Sequence, residues 1–299
     1  MDFRQIEAFV YVVRHKSFSR AADAIFLTQP TISSHISSLE NEMGVMLIDR
    51  SGKEIVPTKA GKVFYDYANN LINIRDNAIF TLGEFSKKVE GKIEIAASTV
   101  PAEYLLPDLM LGFRKLYENI SFSVQQLDSN QVVEELLEKN YELGMVGTVI
   151  ENSKLEYHYL TEDRLVLAAP NNKKFNSIKS DTIPFELLEN ECFIYRESGS
   201  GTRQEFEKIF HKNGINPGSI KIAAQFNSVD AIKQAVSKGL GVSIMSFISI
   251  EDYVKFGQIK AFNIEGFDLK RGFYMVTHKK RPLSPANSVF LKYVSDFYK

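Results

Sequence analysis

One cysteine, Cys192, stands in 299 residues, and tryptophan is absent. A lone thiol excludes an intrachain disulfide and any zinc or iron–sulfur centre built from several cysteines. A reducing, cytoplasmic setting is expected. Charge of one sign is also missing: 36 Lys and Arg stand against 37 Asp and Glu, a formal net charge of −1. No global field therefore advertises nucleic acid or a strongly charged partner, and a DNA-binding reading has to rest on local pattern. No apolar run approaches the roughly 18 to 20 residues that cross a bilayer, so no membrane partner is expected. The opening MDFRQIEAFVYVVRHKSF carries Asp2, Arg4 and Glu7 before a short apolar stretch and has no small-residue cleavage site, so it does not read as a signal peptide. With 9 prolines and 17 glycines the chain is neither collagen-like nor of low complexity. At roughly 100 to 200 residues per domain its length allows two or three domains.

The N-terminal pattern is helical and short in period. Ile6, Phe9, Val10 and Val13 recur at i, i+3, i+4, i+7, and Phe18, Ala21, Ala22 and Ile25 repeat that spacing. A turn at Phe26 and Leu27 leads to Thr28, a good N-cap, with Pro30 in the first turn of a third helix. Ile32, Ile36, Leu39 and Met43 make the buried stripe expected for that helix, and Gly44 ends it. Residues 45–57 alternate well enough for a small hairpin turning at Ser51 and Gly52. Three helices and a hairpin together predict a winged helix-turn-helix over 1–57.

At about 100° per residue, the side of the third helix opposite its buried stripe holds Pro30, Ser34 and Ser37, flanked by Ser33 and Ser38, with Gln29 and Thr31 at its start. Small hydroxyl side chains let a helix sink into a major groove, and Gln29 can pair bidentately with adenine. Taken alone, the same face is also an ordinary solvated surface. The hairpin offers Arg50 and Lys53 to phosphate. Residues 1–62 carry eight basic and seven acidic side chains, a net +1 that predicts modest affinity for one copy.

From residue 58 to 88, Ala60, Phe64, Tyr67, Leu71, Ile74, Ala78, Thr81 and Phe85 alternate spacings of four and three, a heptad seam. Such a helix, about 45 Å long, is either a core element of one domain or a zipper that pairs two chains into a homodimer. Beyond residue 89, strand-like runs at 92–97, 121–126, 143–147, 164–169, 191–195, 220–226, 241–246 and 271–277 alternate with helical ones at 105–117, 131–139, 202–213, 229–238 and 286–298. Alternation of this kind predicts parallel α/β sheets, and the length suggests two lobes, one of 89–161 with 267–299 and one of 162–266.

Chemistry-bearing residues in this half sit at strand-to-helix corners: Ser98 and Thr99; Ser198, Gly199, Ser200, Gly201 and Thr202; Asn227 and Ser228. Such corners aim backbone N–H groups and hydroxyls at a crevice, and three converging would cage an oxyanion. Helix capping explains each corner separately. Arg196 and Arg203 either add charge to an anion or pair with Glu197 and Glu205. Ser198 to Gly201 lacks the first glycine of a nucleophile elbow, and no glycine-rich loop ends in Gly-Lys-Ser/Thr. The five histidines are scattered, so no metal and no cofactor are expected, and Cys192 reads as a buried hydrophobe.

The run FRQIEAFVYVVRHKSFSRAADAIFLTQPTISSHISSLENEMGVMLIDR, continuing to PTKAG at 57–61, resembles the N-terminal signature of LysR-type transcriptional regulators. The resemblance extends over essentially the whole chain. It implies a winged helix-turn-helix, a linker helix, and a two-lobed effector domain like a type II periplasmic-binding fold. It further implies a homo-oligomer, usually a dimer of dimers and so a homotetramer, on double-stranded operator DNA, with RNA polymerase as a further partner. Positions matching Gln29, Pro30, Ser33 and Ser34 face the groove in the family, and the wing near Lys53 meets DNA. Many members carry Arg or Lys where this chain has Ser34.

Effector contacts fall at positions matching Ser98, Thr99, Thr148, Ser200, Thr202 and Ser228. In the sulfur-assimilation branch of the family these are similarly hydroxyl-rich and hold small oxyanions or acylated serine derivatives; Val100 and Pro101 depart from that branch. The reading is a regulator without catalytic chemistry, responding to a small anionic metabolite. The alternative is a small-molecule-binding or catalytic α/β protein whose N-terminal helices serve only for assembly. Ser34→Glu sets a carboxylate against phosphate-lined DNA and is expected to abolish sequence-specific binding in a mobility-shift assay; wild-type binding by this variant would remove the serine face from the DNA.

Overall fold

Local capping sets the first helices of the computed structural model, which describes residues 1–50, 55–85 and 90–298. In α1 (Phe3–His15), Asp2 and Gln5 satisfy each other's backbone amides in a capping box. Helix α2 (Phe18–Ala24) starts at Ser17, whose hydroxyl accepts from the Arg20 amide, and α3 (Gln29–Met43) starts at Thr28 and stops at Gly44, with φ +66°. Phe9, Val12, Ala21, Ile32, Ile36 and Leu39 form the buried centre of these three helices. Two expectations shift here. Val12 is fully buried where the spacing favoured Val13, and Met43 is exposed, so the α3 stripe ends on Glu40.

Glu40 is a buried carboxylate with a structural task. One oxygen accepts from the amides of Leu47 (2.8 Å) and Ile48 (3.0 Å), and the other accepts from Arg50 (3.2 Å). It thereby folds the segment after α3 back into β1 (Ile48–Asp49), which pairs antiparallel with β2 (Val56–Pro57). The expected turn at Ser51 and Gly52, and Lys53, lie outside the described residues.

Helix α4 (Lys59–Phe85) follows from Thr58, whose hydroxyl accepts from the Gly61 amide and donates to the Met46 carbonyl. Gly61 has no room for a side chain, because the Leu47 carbonyl lies where a Cβ would stand. The helix carries two apolar faces. Tyr65 and Ala68 are buried against the first three helices, with Ile72 beside them, while Val63, Tyr67, Ile74 and Leu82 on the other side are each more than 60% exposed. The heptad seam read from the sequence therefore divides: Phe64 and Leu71 lean on the chain's own core, and Tyr67 and Ile74 stay open.

The remaining elements are β3 (Glu90–Ser98), a π-type turn at Pro101–Leu105 running into α5 (Leu106–Leu116), β4 (Asn119–Leu127), α6 (Ser129–Leu137), β5 (Leu143–Val146) and β6 (Leu155–Pro170). Then come α7 (Lys173–Asn176), β7 (Thr182–Ile183), β8 (Phe193–Arg196), α8 (Gly201–Lys212), β9 (Ile222–Phe226) and α9 (Val229–Ser237). The chain closes with β10 (Ser243–Ser246), α10 (Phe247–Lys255), β11 (Ile259–Ile264), β12 (Lys270–His278) and α11 (Pro285–Phe297).

The sheets are mixed, not parallel as the alternation suggested. Strands β3 and β5, β7 and β11, and β8 and β9 pair parallel, whereas β12 runs antiparallel to β5 and β6, and β6 antiparallel to β10 and β11. The physical reason is β6. Its first half, to Arg164, pairs with β12, and its second half, from Leu165, pairs with β10 and β11, so one strand serves two lobes. Sequence reading found only the second half and missed β7, β11 and α10. One lobe packs Ala96, Val132, Leu136, Val146 and Val276; the other packs Leu167, Phe193, Phe206, Phe210, Ile244 and Phe262. By contact density the chain divides into Met1–Glu90 with Lys280–Ser288, and Gly91–Lys279 with Val289–Lys299. Among the described residues no helix is long and apolar enough to cross a membrane.

Removing the Glu40 carboxylate strands two buried amides. Glu40→Ala is expected to destabilise the N-terminal unit by about 2 to 4 kcal/mol, read as a lowered urea midpoint by circular dichroism.

Candidate functional site

Two surfaces bring the expected residues together. On α3, Gln29, Pro30, Ser34, Ser37 and Ser38 are exposed, and Thr31 and Ser33 are half-buried. Gln29 is oriented by the Ser19 hydroxyl (3.0 Å), and Thr31 is tied to the Thr28 hydroxyl (2.8 Å) within the cap. Arg50 is less free than its place in the hairpin suggested. Its guanidinium pairs with Glu40 and lies over the Phe18 ring, 5.2 Å from the centroid. Serine hydroxyls and one amide thus stand on a helix whose opposite side is sealed into the core.

The second surface is a crevice between the two lobes of the C-terminal unit. The end of β3 and the turn after it contribute Ser98, Thr99, Val100 and Pro101, and the start of α6 contributes Asp128 and Ser129. The β8–α8 corner brings Arg196, Ser200, Gly201 and Thr202, and β12 brings Arg271. About 230 Å³ of empty space, partly open to solvent, lies among them. The lobes approach closely here: a Cβ on Gly201 would come within 2.6 Å of the Ser129 hydroxyl, and one on Gly199 would strike the Asp128 carboxylate. Glycine is required by that closeness. The Ser129 amide also donates to the Gly199 carbonyl (3.2 Å). Elsewhere between the lobes, the Tyr104 hydroxyl donates to the Ser249 carbonyl (3.4 Å) and accepts from Lys233 (3.3 Å). Burial raises the Tyr104 phenol and Lys233 opposes the shift, with a net upward result.

Two buried arginines face the crevice. Arg196 donates to the Thr99 hydroxyl (3.1 Å) and twice to Glu197. Arg271 donates through Nε to Asp163 (2.7 Å) and through Nη1 to the Thr202 hydroxyl (2.9 Å). Its Nη2 finds no acceptor, and neither does the buried Ser129 hydroxyl find a partner. Unsatisfied buried donors are uncommon and costly, and these two leave hydrogen-bonding capacity that an acceptor oxygen of a water or a ligand can fill. The N-terminus of α8 adds backbone N–H groups of the same polarity.

Of the residues singled out from the sequence, Ser98, Thr99, Arg196, Ser200, Gly201 and Thr202 line this crevice. Ser198, Ser228, Arg203 and Thr148 are among those that do not. Ser198 is exposed, and exposed Ser228 caps α9. Arg203 turns to Glu207 and the Arg196 carbonyl over the Tyr195 ring; the Tyr195 phenol is pushed up to about 12, first by burial and then by Glu207. Thr148 is buried and donates its hydroxyl to Glu205. Arg271, Ser129 and Asp128 were missed. Alternation along KRGFYMVTH puts Arg271 on the buried side with Phe273 and Met275, a legible signal, and Asp128 with Gln131 is a capping box. Cys192 is exposed, not buried as expected, because it precedes β8. Among the described residues no group of three or more His, Cys, Asp or Glu gathers as a metal site.

Comparison with known proteins places both halves. Residues 3–62 match the model of the bacterial regulatory helix-turn-helix protein, lysR family, and residues 86–299 match that of the LysR substrate binding domain. The transcriptional activator CmpR of Synechocystis sp. is 32% identical over 97% of this chain and 93% of its own. The transcriptional regulator CysL of Bacillus subtilis is 30% identical over 91% of this chain and 89% of its own. The match to CysL is no stronger than that to CmpR, so kinship alone does not single out the sulfur-assimilation branch. The regulatory domain of Synechocystis CcmR, solved in complex with 2-PG, superposes with a TM-score of 0.64 at 27% identity, over 70% of this chain and 98% of that one. With a helix-turn-helix at one end and a substrate-binding domain at the other, the chain belongs to the LysR family of DNA-binding transcriptional regulators and is not an enzyme.

Proposed function

We propose that this regulator binds operator DNA as a homodimer through two α3 faces and responds to a small anion held in the crevice between its lobes. The observation that carries the effector reading is the pair of buried donors without partners, Arg271 Nη2 and Ser129 Oγ, beside Arg196 and the hydroxyls of Ser98, Thr99, Ser200 and Thr202. Carboxylates already offset both guanidinium charges, so recognition rests on donor geometry more than on net charge. Small oxyanions, with several acceptor oxygens and no donors, suit such a cage. The complex of the CcmR domain with 2-PG supports an effector of small size.

For DNA, Gln29, Pro30, Thr31, Ser33, Ser34 and Ser37 form the groove-facing set, and Arg50 and Lys53 the wing. A net charge of +1 over residues 1–62 is weak for one copy, so pairing is part of the reading. The exposed stripe of Val63, Tyr67, Ile74 and Leu82 on α4 is the surface a second chain would cover. Effector binding acts by differential affinity for two arrangements of the oligomer.

Thermal-shift measurement of the full chain against small anions, 2-PG among them, and their neutral analogues tests the crevice. At a hundred times the dissociation constant a true effector is expected to add about 2.7 kcal/mol of stability. Ser129→Ala is expected to weaken it about three- to tenfold and Arg196→Gln more; stabilisation by neutral analogues, or by anions in both variants undiminished, would sink the reading. Pairing is tested on the double variant Tyr67→Glu with Ile74→Glu, whose positions are exposed in the single chain. Sedimentation is expected to show monomers with much weakened operator binding, and a variant that remains dimeric would assign the interface elsewhere.

A further inference from the structure

Helix α2 ends in a motif that glycine ordinarily closes. The Leu27 amide donates to the Ala22 carbonyl (2.9 Å) and the Phe26 amide to the Asp23 carbonyl (3.4 Å), the two bonds of a Schellman cap. The position between them belongs to Phe26, with φ +55°. In that left-handed region glycine or asparagine is usual and a bulky side chain is an outlier. The ring is 95% exposed, more than any other large apolar side chain among the described residues. The chain thus bears conformational strain at this turn and gains no core burial in return. Strain kept without a packing benefit points to a function for the side chain.

Its place suggests which. Phe26 lies three residues before Gln29, the first residue of α3, and Gln29 and Pro30 are exposed beside it. In helix-turn-helix proteins the N-terminal residues of the second helix meet base edges in the major groove. Phosphates are met by cations or hydrogen-bond donors, and a phenyl ring has neither. The apolar mark in the major groove is the thymine C5-methyl group, which apolar side chains recognise by contact.

We infer that Phe26 is a specificity-determining residue for DNA, its ring packing on a thymine methyl at the edge of each half-site next to the base met by Gln29. This rests on the reading that the exposed face of α3 enters the groove. Binding would also bury an apolar ring that is open to water in the free protein.

Phe26→Asn suits the left-handed turn and removes the ring, while Phe26→Tyr keeps the ring. Both are compared with wild type as full-length protein, by fluorescence anisotropy on the DNA upstream of its own gene across a salt series. Phe26→Asn is expected to melt at the wild-type temperature or above it. It is expected to bind about five- to tenfold more weakly, with an unchanged salt slope because no charge is lost. Phe26→Tyr is expected to bind like wild type. Replacing each thymine in turn by deoxyuridine deletes only the methyl. One position per half-site is expected to cost wild type about three- to fivefold, the worth of one buried methyl, and to cost Phe26→Asn nothing. Wild-type affinity in Phe26→Asn overturns the inference, and so does a scan with no thymine whose methyl is felt by wild type alone. Ser34→Glu separates the two levels: if it still binds, the α3 face fails and this inference with it; if it abolishes binding while Phe26→Asn is neutral, only the role of Phe26 falls.

Discussion

The C-terminal half of the molecule is organised around one buried ion pair. Asp163 on β6 accepts from Arg271 on β12 (2.7 Å) and from the Ser246 hydroxyl on β10 (2.7 Å), and Arg271 reaches on to Thr202 on α8 (2.9 Å). Both side chains are almost wholly withdrawn from solvent. The pair sits where β6 leaves one lobe for the other, between Arg164 and Leu165, so four elements meet on two charges. Removing water from two ions is expensive, and such pairs contribute little net stability compared with an apolar replacement. Their geometry is demanding, however. A guanidinium held in one orientation by a carboxylate and a hydroxyl keeps its remaining nitrogen in a fixed direction, and the side chain is part of the crevice lining. The side chain that ties the two lobes' strands together is therefore also one that lines the crevice.

Close approach of the lobes imposes the second constraint. Gly199 and Gly201 exist as glycines because Asp128, Ser129 and Thr148 occupy the space their side chains would need. That same closeness brings the N-terminus of α8 and the start of α6 together, so hydroxyls and amides from distant stretches of chain line one narrow crevice. A ligand bound there as proposed would touch both lobes at once, and its affinity would then be coupled to their separation.

How much was legible follows the range of the interactions involved. The first three helices and most of their buried residues came from spacing, and the start of the third from Thr28, because capping and amphipathic burial are decided within a few residues; the caps at Asp2 and Ser17 are equally local but were not read. Met43 was misplaced since Glu40, bonding seven and eight residues ahead, turns the chain before the stripe would continue. The first half of β6 escaped because its burial does not alternate. Of the crevice, the serine and threonine corners were readable as strand-to-helix junctions. Ser198 and Ser228 were read the same way, and local pattern has no means of telling a corner that faces the crevice from one that faces water.

Taken by itself, then, the sequence determines what is local and periodic. It specifies helices with their stops, one apolar heptad seam along α4, the strand-to-helix corners, and a signature whose family carries a DNA-binding head and an effector domain. Tertiary structure alone decided which corners converge, that Arg271 rather than Arg203 faces the crevice, and that Arg50 is tied to Glu40. The physical reason is distance along the chain. Arg271 and Asp163 are 108 residues apart, and Arg196 and Thr99 are 97 apart. No spacing rule reaches so far; only folding brings such groups within hydrogen-bond length, for the first pair by setting β6 and β12 side by side.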